Sequence, residues 1–157
     1  MIFIATGTQN KQFERILKIV DNAIEKGYVK EEVIAQTGFT NYNSKNIKCI
    51  KFMSDKKLNE YMKDADLVLA HGGIGTITSA LSHKRKVFAM ARLSMYNEHV
   101  NDHQLQIVNK FAALGYIKKI TDFDDFVREY KNLKKFKPIF PKYDNSKMLD
   151  IIEKFIG

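Results

Sequence analysis

Residues 71–76 read His-Gly-Gly-Ile-Gly-Thr and lie between an apolar run and a helical pattern. Glycine lowers the stability of strands and helices, so three glycines in four positions indicate a backbone that closely approaches another group. A helix N-terminus after such a turn attracts anions, because its first N–H groups lack intrahelical acceptors and carry the positive end of the helix dipole. The stretch therefore predicts a phosphate-binding turn.

Residues 98–104 form a second cluster of polar side chains. His99 and His103 are four residues apart, and Glu98 and Asp102 each precede one of them. This spacing suits a metal site on one helical face, but the zinc-protease pattern has a glutamate after its first histidine, where this chain has a valine. The start of a surface helix with Asn97 as its N-cap explains these residues better than a metal site does.

Other phosphate and metal motifs do not fit the chain. A Walker A loop requires Gly-Lys followed by Ser or Thr, and no such triplet occurs. A dinucleotide fingerprint needs the full G-x-G-x-x-G spacing after the first strand, where Gly7 stands alone. Residues 64–66 read Asp-Ala-Asp, but they precede a predicted strand, so helix termination and strand entry explain them better than cation binding does.

The elements that position these residues alternate along the chain. Apolar runs predict strands over residues 2–5, 33–36, 47–52, 67–70, 87–90 and 116–117. Helical spacing and capping residues predict helices over residues 13–24, 54–62, 76–83, 99–114, 122–130 and 146–156. Strands that alternate with helices predict an α/β fold, a parallel sheet of about six strands with helices on both faces. Gly7 and residues 71–76 then lie at one rim, at the carboxyl ends of strands, where such sheets bind ligands.

Composition narrows the class of protein. The 157 residues, 45% of them hydrophobic and 28% charged, fit one soluble domain spanning residues 1–157. No run is long enough to span a membrane, and the apolar start is too short for a signal peptide. The single cysteine, Cys49, fits a core position in a reducing cytosol. The net charge of +8 suits anionic partners, but no nucleic-acid motif accompanies it, so a solvated basic surface is favoured over nucleic-acid binding.

Four motifs in order resemble the donor-binding domain of family 28 glycosyltransferases. They are Gly7-Thr8-Gln9 with Phe13 and Arg15, then Ala35-Gln36-x-Gly38, then residues 71–77, then residues 98–104. The resemblance covers residues 1–117 and is greatest to the free-standing half-enzymes of that group. These comprise the soluble subunit of the eukaryotic dolichol-linked N-acetylglucosaminyltransferase and related bacterial capsule and exopolysaccharide proteins. It implies a Rossmann-like domain that forms one lobe of a two-lobed GT-B enzyme.

The resemblance also implies the site residues. The turn would hold the diphosphate of a UDP-sugar, His71 would stand at its mouth, residues 87–92 would border the uracil, and Gln104 would reach the sugar. The implied UDP-sugar-binding residues are Gly7, Thr8, His71, Gly72, Gly73, Gly75, Thr76, Arg92, His103 and Gln104. The implied catalytic candidates are His71, Glu98, His99 and Asp102. Two departures from the family pattern are Ser79, where many members have a glutamate against the ribose, and Ala91, where a proline is usual.

As a function, the resemblance implies the UDP-sugar-binding, catalytic subunit of a two-subunit inverting hexosyltransferase in capsule or exopolysaccharide synthesis, active only in complex with its partner. It implies no cofactor and no metal at the donor site. A membrane-anchored partner subunit would bind a lipid-linked saccharide acceptor and hold this cytoplasmic chain at the membrane. The helix over residues 146–156 would either dock that partner or pack onto the sheet. The alternatives are a non-catalytic UDP-sugar-binding enhancer or sensor and a basic nucleic-acid-binding domain.

Overall fold

The computed structural model describes residues 1–142, so the predicted helix over residues 146–156 lies outside the described part. The strands are β1 (Ile2–Ala5), β2 (Val33–Gln36), β3 (Lys48–Ile50), β4 (Leu67–His71), β5 (Lys86–Met90) and β6 (Lys118–Lys119). The α-helices are α1 (Glu14–Glu25), α2 (Asp55–Asp64), α3 (Ile74–Ser82), α4 (His103–Ala113) and α5 (Phe123–Lys131). Short 3₁₀ turns cover Ser94–Tyr96 and Leu133–Lys135.

The strands form one parallel sheet in the order β3-β2-β1-β4-β5-β6. The predicted α/β fold is confirmed. Ala5 at the end of β1 is in register with Ala70 in β4, so the loops that follow these two strands leave the sheet side by side. The chain order reverses at this pair, which is the position where parallel sheets open a crevice for ligands.

Both faces of the sheet are buried, as parallel connections through helices require. Phe3 and Val68 point into a core shared with α2, α3 and α4. Ile4 and Leu69, one residue further along each strand, point into a second core shared with α1 and α5. The two-residue alternation of a strand therefore divides one continuous apolar run between two cores.

Three predicted elements differ from the structure. The sixth strand lies at Lys118–Lys119, because residues 116–117 follow the turn at Gly115 and bury their side chains instead of pairing. The third strand is shorter than predicted, at Lys48–Ile50. Helix α4 begins at His103 and not at residue 99, because residues 94–102 form a turn and an irregular loop in which Asn97 has φ 56° and is no helix N-cap.

Arg92 joins the loop after β5 to the loop after β1. Its side chain is 0% exposed, and its Nε and Nη2 donate to the Thr6 carbonyl at 3.1 and 2.6 Å. Its Nη1 donates to the carbonyls of Lys11 at 2.8 Å and Glu98 at 3.1 Å. Burial lowers the pKa of Arg92 to about 10, which leaves it charged at neutral pH. The side chain thus supplies donors to loop carbonyls that no strand or helix pairs.

A second arginine supports the same loop from its outer side. Arg15 donates through Nε and Nη2 to the two carboxylate oxygens of Glu98, each at 2.8 Å, and its guanidinium lies 4.5 Å from the Tyr96 ring centroid. Glu98 Oε1 also accepts from the Leu93 amide at 3.0 Å. Glu98 is therefore bound by two guanidinium groups, that of Arg92 at its carbonyl and that of Arg15 at its carboxylate.

Within residues 1–142, no helix combines the length and apolar character needed to cross a membrane.

We expect Arg92→Met to lower the free energy of unfolding by about 3 kcal/mol, because the carbonyls of three loop residues lose a buried donor. Urea denaturation followed by circular dichroism measures this loss. Arg128→Met, which removes an arginine from the exposed face of α5, is the matched control and should leave the midpoint nearly unchanged. Equal losses in the two variants would contradict the loop-joining role of Arg92.

Candidate functional site

A cleft of about 230 Å³ opens at the carboxyl ends of β1, β2 and β4. Its walls come from the loops after β1, β3 and β4 and from the starts of α2 and α3. The lining residues are Ala5, Gly7, Thr8, Gln9, Gln36, Phe52, Met53, Asp55, Leu58, His71, Gly73, Gly75 and Thr76. The predicted site residues Gly7, Thr8, His71, Gly73, Gly75 and Thr76 are thus brought together at one opening.

The N-terminus of α3 forms one end of the cleft. Its N-cap is Gly73, which has an extended backbone and supplies no capping side chain. The amides of the first turn, which have no intrahelical acceptor, therefore also lack an acceptor from the cap. A Cβ placed on Gly75 would meet no atom within 4 Å, which leaves open space above the helix start. This end of the cleft suits an anionic group, because it combines free amides, the positive end of the helix dipole and open space above the helix start.

Other glycines of the site make room for neighbouring side chains. A Cβ on Gly73 would lie 2.1 Å from Cε1 of His71, and a Cβ on Gly7, whose φ is +86°, would lie 2.8 Å from the same ring. A Cβ on Gly72 would lie 2.7 Å from Cβ of Gln104. Gly72 therefore permits α4 to pack against the turn and does not itself line the cleft.

His71 connects the glycine turn to the first turn of α3. Its Nδ1 accepts from the Gly73 amide at 3.1 Å, and its Nε2 lies 3.1 Å from Oγ1 of Thr76. Burial, together with the nearby positive charge of Arg92, lowers the pKa of His71 to about 3. The ring is therefore neutral at physiological pH, and both of its nitrogens are occupied by hydrogen bonds.

Gln104 lies behind the glycine turn and does not line the cleft. Its side chain is 6% exposed, and Oε1 accepts from the amides of Gly72 at 3.0 Å and Arg92 at 3.1 Å. Its Nε2 lies 3.2 Å from Nδ1 of His71. The expected contact between Gln104 and the sugar is not supported, because the amide is already bound inside the protein.

The structure also corrects the expected position of Arg92. Since its guanidinium is fully buried against main-chain carbonyls, it does not reach the cleft, and residues 87–92 do not border it. Glu98 is 3% exposed, and its carboxylate binds Arg15 and the Leu93 amide. Glu98 therefore supports the loop. Its predicted catalytic role is not supported, because both carboxylate oxygens already accept hydrogen bonds.

The remaining candidates lie just before α4 or at its first residue, outside the cleft lining. Asp102 accepts from the amide and hydroxyl of Ser94 at 2.8 and 3.0 Å, and these bonds lower the pKa of its carboxyl. His99 is half-buried, and burial lowers its pKa. His103 is exposed at the first residue of α4. Because α4 begins after His99, the two histidines do not share a helical face.

Metal-ligating side chains are not clustered in the described residues. Among residues 1–142, no group of three or more His, Cys, Asp or Glu side chains is placed to hold a metal ion. Asp66, the second acid of the Asp-Ala-Asp stretch, lies at the amino end of β4 and binds the amine of Met1 at 2.6 Å. It is on the rim opposite the cleft, as its position before the strand predicts.

The apolar wall of the cleft was missed at the sequence level. Phe52 and Met53 follow β3, and Leu58 lies on the first turns of α2. Phe52 is 53% exposed and packs edge-on against Phe39 with ring centroids 5.0 Å apart. The sequence contains a signal for this wall, because Phe52 ends a predicted strand and Met53 follows it, and the carboxyl end of that strand lies on the same rim as the glycine turn.

Curated relatives match parts of the chain. It is 23% identical over 99 residues to the UDP-N-acetylglucosamine transferase subunit ALG13 of Candida albicans, covering 62% of this chain and 32% of that protein. It is 32% identical over 72 residues to the protein of the same name in Saccharomyces cerevisiae, covering 45% of this chain and 34% of that protein. The matched region thus spans about a third of the length of these relatives.

Solved structures share the fold. The NMR solution structure of ALG13 superposes with a TM-score of 0.62 at 19% identity, covering 99% of this chain and 96% of that chain. The crystal structure of the glycotransferase of kitacinnamycin superposes with a TM-score of 0.57 at 11% identity, covering 98% of this chain and 37% of that chain. These likenesses show a shared fold, which extends over about a third of the glycotransferase chain.

The family match covers nearly the whole chain and agrees with the sheet order and the glycine turn at its rim. Residues 1–155 match the glycosyltransferase family 28 C-terminal domain. The chain therefore belongs to glycosyltransferase family 28, as a C-terminal domain of that family.

Proposed function

We propose that the chain is the donor-binding half of a UDP-sugar-dependent glycosyltransferase and that the UDP group occupies the cleft between β1 and β4. The observation that carries this proposal is the division of one cleft into an amide-rich end and an apolar wall. A nucleoside diphosphate has the matching division, with charged phosphates at one end and a flat base at the other.

At the amide-rich end, the diphosphate would accept hydrogen bonds from the first amides of α3 and from the hydroxyl of Thr76. These donors are fixed before any ligand arrives, so little reorganisation opposes the build-up of charge on a departing UDP. The helix dipole adds partial positive charge at the same point. Gly75 permits close approach, since a side chain there would occupy the space that the phosphates need.

At the other end, Phe52, Met53 and Leu58 offer an apolar surface for the base. Aromatic and aliphatic side chains suit the faces of a nucleobase, whose polar edges need only a few hydrogen bonds. Thr8 lines the same cleft and adds a hydroxyl, whereas the amide of Gln36, which also lines it, is bound to Gly7 and Lys51. Ser79, which stands where many family members have a glutamate, is not among the lining residues.

The general base of the reaction is expected from outside this chain. His71 is neutral with both nitrogens occupied, and the Glu98 carboxylate is bound to Arg15. A partner subunit that binds the acceptor would supply the base and the second wall of the site. The curated relatives are named as subunits of a transferase, and in the superposed glycotransferase this fold is about a third of the chain.

Two exposed residues of the loop after β5 offer apolar surface for that partner. Met95 is 75% exposed and Val100 is 77% exposed, both on the loop after β5. We infer that the partner is a membrane-anchored, acceptor-binding subunit, that the acceptor is a lipid-linked saccharide, and that the chain acts on the cytoplasmic side. Synthesis of capsule or exopolysaccharide is the setting we propose.

A UDP-sugar-binding module without catalysis is the second candidate. Among the described residues, His71 is the titratable side chain at the helix end of the cleft, and it is neutral with both ring nitrogens hydrogen-bonded. Transfer by the assembled complex, measured with a radiolabelled UDP-sugar, distinguishes the two functions. Binding without transfer in the complete complex would favour the module.

We expect Gly75→Val to weaken UDP binding by about tenfold or more, because the new side chain displaces an anion that accepts hydrogen bonds from the helix start. Titration calorimetry with UDP measures the affinity, and Gly75→Ala should give an intermediate loss. Ser82→Val, at the other end of the same helix, is the matched control. Since no atom lies within 4 Å of the Gly75 Cβ position, the Gly75→Val variant should fold normally. Unchanged affinity for UDP in this variant would refute the proposed position of the diphosphate.

We expect transfer to be independent of divalent cations, because a helix N-terminus and not a pair of acids faces the proposed diphosphate. The measurement is sugar transfer by the complex in excess chelator. Loss of activity in chelator with recovery in magnesium or manganese would show that a cation is required at the donor site.

We expect the isolated chain to bind UDP-sugar but to transfer sugar far more slowly than the complex, since one lobe neither positions an acceptor nor excludes water.

Deleting residues 146–157, which lie outside the described part, should abolish co-purification with the partner while UDP binding persists. Turnover by the isolated chain on a lipid acceptor at about 1 per second or faster would overturn this half-enzyme proposal.

A further inference from the structure

We propose that Gln104 is a positioning residue for the donor site, acting through His71 to make the Thr76 hydroxyl a hydrogen-bond donor toward the cleft. This inference rests on the proposed function for the identity of the group that receives the bond, the diphosphate of a UDP-sugar. It assigns Gln104 a role different from direct contact with the sugar.

The first step fixes the orientation of the Gln104 amide. Its Oε1 lies 3.0 Å from the Gly72 amide nitrogen and 3.1 Å from the Arg92 amide nitrogen. Both main-chain groups are donors only, so the oxygen of the side chain must face them. The NH₂ group of Gln104 is therefore directed at His71 and has to donate to it.

The second step fixes the protonation of His71. Its Nδ1 receives the Gln104 NH₂ at 3.2 Å and the Gly73 amide at 3.1 Å, so it is an acceptor and carries no proton. The single proton of the neutral ring is then on Nε2. A second proton is disfavoured because the ring is buried and the charged or titratable groups that act on it, Arg92 and His99, oppose added positive charge.

The third step fixes the direction of the Thr76 hydroxyl. His71 Nε2–H donates to Oγ1 of Thr76 at 3.1 Å, so the hydroxyl uses a lone pair toward the ring and keeps its own proton for another acceptor. Thr76 lines the cleft beside the free amides of α3. With the opposite tautomer, Thr76 would donate to the ring and turn lone pairs toward the anion, which would repel it.

The chain of bonds connects the loop after β5 to the cleft. It starts at the main-chain amide of Arg92, whose side chain is the buried donor to the loop carbonyls, and ends at Thr76. A glutamine at position 104 supplies both an acceptor for two amides and a donor for the ring without adding charge. A carboxylate there has no proton to donate and would add negative charge near the phosphates.

The tautomer is measured directly by long-range ¹H–¹⁵N correlation spectroscopy on the full-length ¹⁵N-labelled protein, with the His71 signals identified from their loss in His71→Asn. We expect a neutral ring protonated on Nε2 throughout the range from about pH 5 to about pH 8, because its pKa is near 3. A ring protonated on Nδ1, or one that titrates within this range, would overturn the proposal even if Gln104 variants fail to fold.

Binding of UDP-N-acetylglucosamine, whose diphosphate does not titrate in this range, tests the effect on the donor site. At about pH 8, Gln104→Glu should weaken binding by about tenfold, because a donor to a charged group is lost. At about pH 5.5, a proton on the new carboxyl restores a donor to Nδ1, and a proton on His71 itself restores the Nε2–H that donates to Thr76, so affinity should recover toward that of the wild type. Gln106→Glu, the same change on the exposed face of α4, is the matched control.

A double-mutant cycle with Thr76→Val separates positioning from charge repulsion. If Gln104 acts through the Thr76 hydroxyl, the loss caused by Gln104→Glu should shrink to about threefold or less in the Thr76→Val background. An equal loss in both backgrounds would overturn the proposal. Failure of the wild type to bind the nucleotide sugar would instead refute the proposed function, and the tautomer measurement would still report on the positioning of Thr76.

Discussion

The buried guanidinium of Arg92 is the interaction on which the rest of the site depends. Two loops leave neighbouring parts of the sheet rim, and their carbonyls have no strand or helix partner of their own. Arg92 supplies four hydrogen bonds to these carbonyls from one planar group, and unpaired polar groups at such depth would cost several kcal/mol of stability. The loop positions that set the cleft follow from this arrangement.

The same loop explains why two predicted catalytic residues, Glu98 and Asp102, have structural roles. The loop after β5, residues 91–102, contains only one short 3₁₀ turn, so it needs side chains to satisfy its main chain. Glu98 accepts from the Leu93 amide and Asp102 from the Ser94 amide, while Arg15 neutralises the buried Glu98 carboxylate. In this loop the acidic side chains therefore support the main chain, whether buried, as Glu98 is, or exposed, as Asp102 is.

The ligand proposed for the cleft would meet few charged groups there. Its helix end offers main-chain amides, a hydroxyl and a neutral histidine, and the +8 net charge of the chain lies largely elsewhere. Fixed dipoles stabilise an anion without the desolvation cost of burying a lysine beside it. Asp55 at the start of α2 also lines the cleft, on the side where the base and not the diphosphate is proposed to lie.

The sequence alone determined the alternation of strands and helices, the parallel sheet and the meeting of Gly7 with residues 71–76 at one rim. These follow from hydrophobic periodicity and turn chemistry, which act over a few residues. Only the tertiary structure decided that Arg92, Glu98 and Gln104 turn inward and that Phe52 and Met53 form a wall of the cleft. Those outcomes depend on partners far apart in the chain, such as Arg92 with Thr6, 86 residues away. A short strand such as β6 likewise depends on the neighbour that pairs with it and not on its own lysines.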